Sequence, residues 1–533
     1  MKATNTLFGD VPLVNLLYMS LLLLGLLVLG GCGSSTNSNP TPKLQGNTDV
    51  TLVLSSTAND ELSEFGIVLQ GVTLTTQSGK SATLFSGMAG QEFMAINGGA
   101  YPLATTTIPQ DVYTGATVTL GSAQFNCETL EGPSGPSPGG LVMDFFAYGQ
   151  VPADHITVTL PSPITVTGKT MDIRIDLAVA QSVTFSGCGV QPNTWAITPT
   201  FNVTPMPLSV QPTNAANGKI LGMIGEVASL NSTGNGFIMT LPQAAFTCPC
   251  PGMNSLSINA DSNTQFQGIA NLSAITPNTF VDIDGAIQAD GSLLATRIAS
   301  YDTGALNVMT GPLLFVSSST PEFETLGREQ QGQNFSQQPL SRGGFFFSGS
   351  TLFKTSGEFL NFATLPFVPD FSNTSMVAGQ NVSVFLTSAS TTTIVLMPQT
   401  INGTVLSSTS AGAFTEYSVV LDSFDLFPTL AVQPGQATTL NNPGQVEVYV
   451  DNSTQRLNTQ PLAPGSTLRF RGLVFNDNGT LRMDCSQVND GVPASSQSSS
   501  SSENAIGQAN VTSRVVSGSG GRQDLTVRSH TQQ

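Results

Sequence analysis

Two cysteines near the middle of the chain have the spacing of a soft-metal or thiol site. Cys248 and Cys250 are separated by one proline, and Met253 follows three residues later. Two thiolates with a thioether nearby suit a soft ion such as Cu(I). The same segment also reads as a rigid proline-containing loop in which one cysteine stays free or pairs with Cys485. Because a third and a fourth ligand are missing from the pattern, we favour the loop and keep these three residues as metal candidates.

A serine between two glycines formally matches the nucleophile motif of hydrolases. Residues 135–139 read GPSPG and place Ser137 at the nucleophile position of G-x-S-x-G. In hydrolases this motif joins a strand to a helix and holds the serine in a strained turn. Here prolines flank Ser137, no helical pattern follows, and the next histidine is His155, beside Asp154. We therefore favour a flexible turn over a catalytic triad.

Acidic side chains cluster in the segment VDIDGAIQAD, which contains Asp282, Asp284 and Asp290. A calcium loop needs alternating Asp or Asn with a terminal Glu, and this segment lacks that pattern. Strand alternation puts Asp282 and Asp284 on one face, which we expect to be the solvated face. Glycoside hydrolysis needs two facing acids, so a hydrolase with an unrecognised carboxylate site is kept only as an alternative.

Composition restricts the class of protein and its partners. The 533 residues include 17 Lys and Arg against 34 Asp and Glu, and charged residues make up only 10%. The resulting net charge of −17 excludes nucleic acid as a partner, because phosphates would be repelled. The two histidines leave little scope for histidine-based catalysis. Abundant Gly, Pro, Thr, Ser and Val predict short strands and many turns, as in a secreted all-β protein.

The N-terminal segment has the pattern of an export signal. Residues 13–31 are almost entirely apolar and end directly before Cys32. An apolar run followed by small residues is typical of a secretory signal. The sequence LGGC at 29–32 resembles the lipobox of bacterial lipoproteins, in which the cysteine thiol is acylated with diacylglycerol and becomes the new N-terminus.

The lipobox resemblance implies a lipid anchor at Cys32 after removal of a signal peptide, residues 1–31. The following residue is Gly33 and not Asp, which favours the outer membrane by resemblance to sorting in bacteria with two membranes. Residues 32–47 are rich in Ser, Thr, Asn and Pro, so we expect a flexible tether. Several acyl chains, at about 0.8 kcal/mol per buried methylene, would hold the protein durably in the bilayer.

Residues 48–210 alternate apolar and polar side chains in the manner of short strands. The segments VTLVL (50–54), ITVTL (156–160) and MDIRIDL (171–177) are examples. Regularly spaced strands with turn signals between them predict a β-sandwich. The order of these segments resembles a bacterial lipoprotein family known as domain of unknown function 4382.

Two cysteines lie next to predicted strands of this sandwich. In an oxidising compartment, Cys127 and Cys188 are disulfide candidates for a bridge across the sheets. Two buried thiols are the alternative. The five cysteines that follow Cys32 are an odd number, so at least one thiol is unpaired or bonded between molecules.

The second half of the chain contains an internal repeat. SINADSNTQF (257–266) aligns with EVYVDNSTQR (447–456), and a weaker copy, FSGSTLFK, occupies 347–354. The repeat resembles the bacterial family known as domain of unknown function 5666. We predict barrel repeats in three ranges, the middle one degenerate: 217–302, 303–399 and 400–490.

Turn and glycine signals indicate how each repeat folds. Asn478-Gly479 lies between apolar segments, a strong signal for a tight hairpin. Gly285 and Gly472 fall inside strand patterns, where the missing side chain permits the bend of a small barrel. We expect OB-like closed barrels. The Ser-rich residues 494–533 are expected to be disordered.

Phenylalanines concentrate in the middle repeat, at 345–347 and within 359–371. They indicate either a partner surface or, as we favour, an inserted loop that packs onto its own barrel.

The sequence therefore predicts an all-β chain with an N-terminal β-sandwich, about three small OB-like barrels, a signal segment and a disordered tail. We expect a lipid-anchored envelope protein, of the outer membrane, with a non-catalytic structural or binding role. The partner would be a protein or a glycan, in addition to the lipid bilayer, and no cofactor is expected. The alternatives are a secreted hydrolase and a copper-binding or thiol protein.

Overall fold

The computed structural model describes residues 44–130, 142–150, 154–185, 195–206, 219–244, 255–288, 291–332, 341–357, 362–387, 390–422, 425–432, 435–492 and 511–516. Residues Gly46–Gln533 form one compact unit. Its described part is nearly all β, as predicted. Among the described residues, the α-helices α1 (Val179–Ser182) and α2 (Leu426–Leu430) are single turns. Within the described residues, none of the helices is both long and apolar enough to cross a membrane.

The N-terminal sandwich consists of two main sheets. Its strands are β1 (Asn47–Thr57), β2 (Glu64–Thr76), β3 (Ser81–Glu92), β4 (Tyr101–Pro109), β5 (Val112–Leu130), β6 (Val142–Gln150), β7 (His155–Thr165), β8 (Thr170–Ala178), β9 (Val183–Phe185), β10 (Trp195–Ile197) and β11 (Phe201–Met206). One sheet has the order β11-β8-β1-β4, and the other has the order β3-β2-β5-β6 with β7 also paired to β5. Strands β9 and β10 pair separately.

Alternation along β8 separates the sandwich core from a second, polar face. Ile173, Ile175 and Leu177 are fully buried in the core between the sheets. The residues between them are polar and face away from that core. The polar face is not open to solvent throughout, because Val53 and Met206 on the same face belong to the core of the first barrel.

Five strands of the first barrel close into a ring. Its elements are β12 (Lys219–Leu230), β13 (Gly236–Thr240), β15 (Ser255–Asn259), β16 (Gln265–Gln267), a 3-10 turn (Leu272–Ala274), β17 (Phe280–Ile287) and β18 (Leu293–Ala299). The order is β15-β13-β12-β17-β18, and a parallel pairing of β15 with β18 completes the ring. This is the strand order of an OB-like barrel, as the sequence predicts.

The third barrel repeats the same topology. Its elements are β26 (Gln399–Ala411), β27 (Phe414–Leu421), the helix α2, β28 (Gln445–Val450), β29 (Gln455–Arg456), β30 (Thr467–Asp477) and β31 (Thr480–Asp490). The order is β28-β27-β26-β30-β31, and β28 pairs in parallel with β31. The hairpin between β30 and β31 turns at Asn478 and Gly479, whose φ angles are 52° and 89°. Two successive positive φ angles are those of a type I′ turn, so the hairpin prediction is confirmed.

Both glycines predicted to bend a barrel lie at bulges. The register between β17 and β18 shifts at Gly285, and that between β30 and β31 shifts at Gly472. A Cβ atom on Gly472 would lie 2.0 Å from the carbonyl oxygen of Asp484. The close approach of the paired strand therefore requires glycine.

The middle barrel is less regular. Its elements are β19 (Asn307–Val316), β20 (Glu322–Gly327), β21 (Glu329–Gly332), β22 (Ser341–Phe346), β23 (Leu352–Thr355), a 3-10 turn (Phe362–Thr364), β24 (Asn381–Leu386) and β25 (Thr391–Leu396). A short strand that follows β13, namely β14 (Gln243–Ala244), pairs with β21. Among the described residues β22 and β25 do not pair, so this barrel is open where its neighbours close.

Phenylalanines of the middle repeat connect it internally and to the third barrel. The Phe347 ring lies 6.0 Å from that of Phe353, which joins the region of β22 to β23. The ring of Phe367 lies 5.1 Å from that of Tyr449 and 5.8 Å from that of Phe475, both in the third barrel. The expected loop therefore packs on the neighbouring barrel as well as on its own.

Six residues of the predicted disordered tail form a strand. Strand β32 (Val511–Val516) pairs antiparallel with β6 at the edge of the sandwich. The rest of residues 494–533 lie outside the described residues, as do the signal segment and most of the tether.

Candidate functional site

The polar face of β8 forms the floor of the site. Asp172, Arg174 and Asp176 follow one another on this face, at every second position of the strand. Arg174 lies between Val53 of β1 and Thr204 of β11. The row is predictable from the alternation of MDIRIDL, but the domains that cover it are not.

A cleft of about 370 Å³ opens between this face and the third barrel. The sandwich contributes β1, β8 and β11, and the barrel contributes the end of β31 and the start of β30. Charged and polar residues that line the cleft include Arg174, Asp176, Asn202, Thr204, Arg469, Gln487, Asn489 and Asp490. The volume lies at the lower end of the range of small-ligand sites, about 300–1,000 Å³.

Neighbouring hydroxyl groups hold the carboxylate of Asp176. The Ser55 Oγ donates to one carboxylate oxygen at 2.7 Å, and the Thr57 Oγ1 donates to the other at 2.9 Å. Ser55 lies directly beside Asp176 across β1 and β8. The hydrogen bonds to this acid therefore come from neutral hydroxyl donors.

The guanidinium of Arg469 reaches the cleft from the third barrel. Its Nη1 donates to the Asn97 side-chain oxygen at 2.7 Å, and its Nε donates to the Asp490 carbonyl oxygen at 3.3 Å. Burial lowers the pKa of this guanidinium, whereas the charges of Asp176 and Asp490 raise it. The side chain is 6% exposed, so its position is fixed by the surrounding protein.

Asp172, at the other end of the row, is buried without a partner. It is 1% exposed, and neither carboxylate oxygen has a hydrogen-bond partner among the described residues. Burial raises the pKa of this carboxyl to about 7. The first barrel lies close by, since a Cβ on its Gly291 would be 3.0 Å from the hydroxyl of Thr51, the cross-strand neighbour of Asp172.

The acids expected on a solvated face are buried, and that prediction is wrong. Asp282 is 1% exposed and Asp284 is 5% exposed, and Arg297 lies between them. The Arg297 Nη2 is 3.0 Å from an Asp282 oxygen, and its Nε is 2.7 Å from an Asp284 oxygen. Burial acts to lower the pKa of Arg297, but the two carboxylates raise it. The physical reason for the error is that the middle barrel covers this face.

Contacts to the middle repeat make the Asp282 cluster a junction between barrels. The Ser356 Oγ donates to an Asp282 oxygen at 2.9 Å, and the Tyr301 hydroxyl donates to it at 2.7 Å. The Gly357 N–H in turn donates to the Tyr301 oxygen at 3.0 Å. Such an arrangement positions one barrel on the next and leaves no acid open to a substrate.

A second buried charged junction joins the sandwich to the middle barrel. The Arg328 Nε donates to the Ser63 carbonyl at 2.6 Å, and Glu92 accepts the Phe65 N–H at 2.7 Å. Burial raises the pKa of Glu92 to about 7, although Arg328 and backbone N–H donors oppose the shift. Burial and the charge of Glu92 raise the pKa of Glu329 to about 8.

The predicted sulfur and serine sites fall mainly outside the described residues. Cys32, Cys188, Cys248, Cys250, Met253, Ser137 and Asp290 all do so. Cys127 lies in β5, but its side chain is not described. Cys485 is buried in the core of the third barrel, and its thiol donates to the Gln487 carbonyl at 3.3 Å. Among the described residues, no group of three or more His, Cys, Asp or Glu could hold a metal ion.

His155 and Asp154 form an exposed pair. The His155 Nδ1 lies 2.8 Å from an Asp154 oxygen, and their side chains are 63% and 77% exposed. The hydrogen bond to His155 lowers the pKa of Asp154.

The Asp-x-x-Thr segments of the first and third repeats, at 261–264 and 451–454, form strand-end turns. The carboxylate of Asp261 accepts the Asn263 N–H, and that of Asp451 accepts the Ser453 N–H, both at 2.8 Å. The threonine of each turn also donates to a backbone carbonyl of the fifth barrel strand, β18 or β31. Thr351 makes the corresponding bond to the Thr391 carbonyl.

Comparison with known proteins identifies one of the repeats. Residues 225–299 match the family described as Domain of unknown function (DUF5666). The match covers most of the first barrel and supports the resemblance inferred from the repeat. A search of the curated proteins gives no match to this chain.

The sequence does not predict the cleft. Ser55, Arg174 and Arg469 belong to segments more than a hundred residues apart. Period-two alternation gave a signal for the row on β8, because polar residues recur there in an otherwise apolar strand. No signal in the sequence indicates that the third barrel covers half of that row.

Proposed function

We propose that this protein is a lipid-anchored lipoprotein of the bacterial cell envelope that binds a protein or glycan partner without transforming it. The observation that carries the proposal is the cleft between the sandwich and the third barrel. Its floor is positioned by β-strands and its wall by a barrel, as expected for a preformed binding site.

The anchor part of the proposal comes from the sequence. The lipobox at 29–32 supports acylation of Cys32, and the segment order of residues 48–208 supports a relationship with the lipoprotein family known as domain of unknown function 4382. The absence of Asp at position 33 supports an outer-membrane location.

Binding is favoured over hydrolysis by the state of the acids. Asp282 and Asp284 are buried behind Arg297, and the Asp176 oxygens are occupied by hydroxyl donors. Glycoside hydrolysis needs two acids that face a substrate across an open site. Asp282 instead contacts the middle repeat through Ser356, and Asp176 is held within the sandwich.

Membrane fractionation of cells with and without Cys32→Ser tests the anchor. We expect the unaltered protein in the outer-membrane fraction and the variant in the soluble fraction. Cross-linking in native membranes, followed by pull-down, tests binding. The proposal is contradicted if Cys32→Ser stays in the membrane fraction. It is also contradicted if the protein still turns over a substrate after stringent purification.

A further inference from the structure

The charges of the cleft indicate the chemistry of its ligand. Arg174 and Arg469 both line it. Among the described residues, neither guanidinium has a carboxylate within ion-pair distance. The chain contains twice as many acids as bases, 34 against 17, yet both arginines of this cleft are outside ion-pair distance of a described carboxylate.

Arg174 carries a buried N–H donor for which the described residues supply no hydrogen-bond acceptor. Its Nε is buried and has no hydrogen-bond partner among the described residues. Its cross-strand neighbours are Val53 and Thr204, neither of which carries a charge. Leaving a buried donor unpaired is costly, and an acceptor atom of a ligand would remove that cost.

Arg469 is held in a fixed orientation before any ligand binds. Its Nη1 and Nε are engaged by Asn97 and by the Asp490 carbonyl, and its Nη2 takes no part in these two bonds. A guanidinium fixed in this way loses little freedom on binding a planar anion.

The acids of the cleft are compensated by other groups. Asp176 accepts from Ser55 and Thr57, and Asp490 accepts from donors of the 459–460 turn. Neither acid therefore neutralises the two guanidinium groups by direct contact.

The remaining lining residues favour a peptide over a sugar. Asn202, Gln487 and Asn489 can donate to and accept from peptide groups, and Leu457 and Val492 offer a small apolar surface. Sugars commonly stack on aromatic rings, and none of the described residues that line the cleft is aromatic.

We propose that the cleft binds the terminal carboxylate of a short peptide, with Arg174 and Arg469 as its charge-assisted donors. The proposal rests on the proposed function only in that both describe a binding protein. Recognition of a carboxylate by guanidinium groups combines charge with paired N–H donors.

Calorimetric titration of the full chain in detergent tests the proposal. The probes are N-acetyl-trialanine and its C-terminal amide, which differ only in the carboxylate. We expect the acid to bind at least about tenfold more tightly than the amide. Glucuronate serves as a third probe for a saccharide site, and we expect it to bind more weakly than the acid peptide.

Three variants separate binding from folding. Arg174→Gln is expected to reduce the affinity for the acid to that for the amide, and Arg174→Lys, which keeps the charge without the fork, to give an intermediate value. Arg482→Gln is the matched control, because Arg482 pairs with Asp477 outside the cleft, and it should leave the affinity unchanged. Unaltered thermal midpoints show that a variant is folded.

The proposal is overturned if the acid and the amide bind equally, if neither binds, or if glucuronate binds more tightly than the acid peptide. It is also overturned if both folded Arg174 variants bind as the unaltered protein does. None of these results concerns the anchor at Cys32. Conversely, an unacylated protein that binds the acid peptide contradicts the anchor alone.

Discussion

The unpartnered carboxyl of Asp172 makes stability depend on pH in an unusual direction. Burial raises the pKa of this group from 3.8 to about 7 in the folded protein. The folded state therefore holds a proton that the unfolded state releases between these two values. The contribution of this protonated carboxyl to the free energy of unfolding is fully present below about pH 4 and is lost as the pH rises to about 7.

The size of the effect follows from the pKa difference. At about 1.4 kcal/mol per unit, ionisation of Asp172 costs the folded state about 4 kcal/mol above pH 7. Asp172→Asn removes the ionisation but keeps the size of the side chain. The unaltered protein loses this stability as the pH rises, and the variant does not. We therefore expect the difference in free energy of unfolding, variant minus unaltered protein, to increase by about 3–4 kcal/mol between about pH 4 and about pH 8.

Urea unfolding at both pH values measures this difference. A hydrogen-bonding defect of the new amide would shift both values equally and so would not produce a slope with pH. The control is Asp176→Asn on the same face of β8, because Ser55 and Thr57 already satisfy that carboxylate. A difference between Asp172→Asn and the unaltered protein that does not change with pH would refute the reasoning.

Four further substitutions test the junctions and the barrels. Arg297→Leu leaves two buried carboxylates without their cation, and we expect the free energy of unfolding to fall by about 3–5 kcal/mol, which would lower the unfolding midpoint. An unchanged midpoint would refute the stabilising role of Arg297 at the junction. Glu329→Gln, at a group with a pKa of about 8, should stabilise the protein at about pH 9 more than at about pH 5, in thermal scans at both values. Gly472→Ala should cost about 1–3 kcal/mol, whereas Gly349→Ala, with open space at its Cβ position, should cost almost nothing in the same urea titrations. Thr454→Val loses a buried hydrogen bond to β31, and a loss below about 0.5 kcal/mol would contradict its role.

Local patterns predict the strands and barrels because the forces that shape them act over short distances. Alternation along β8 reflects burial of Ile173 and Ile175 in the sandwich core. The Asn478-Gly479 hairpin follows from backbone conformations that these two residues adopt readily. Thr351 identifies a middle repeat, although the aspartate of its turn has been replaced, because the threonine itself bonds to the neighbouring strand.

Contacts between domains were not predictable in the same way. Asp282 and Asp284 have the alternation of a solvated face, and only the packing of the middle barrel buries them. Arg174 and Arg469 line one cleft because two domains pack together, and no pattern along the chain encodes that packing.

Intact-mass analysis of the protein purified from native membranes tests the central claim most directly. We predict a chain that begins at Cys32 and carries diacylglycerol on its thiol, with residues 1–31 removed. A mass that corresponds to an unmodified leader still attached would contradict the lipid anchor.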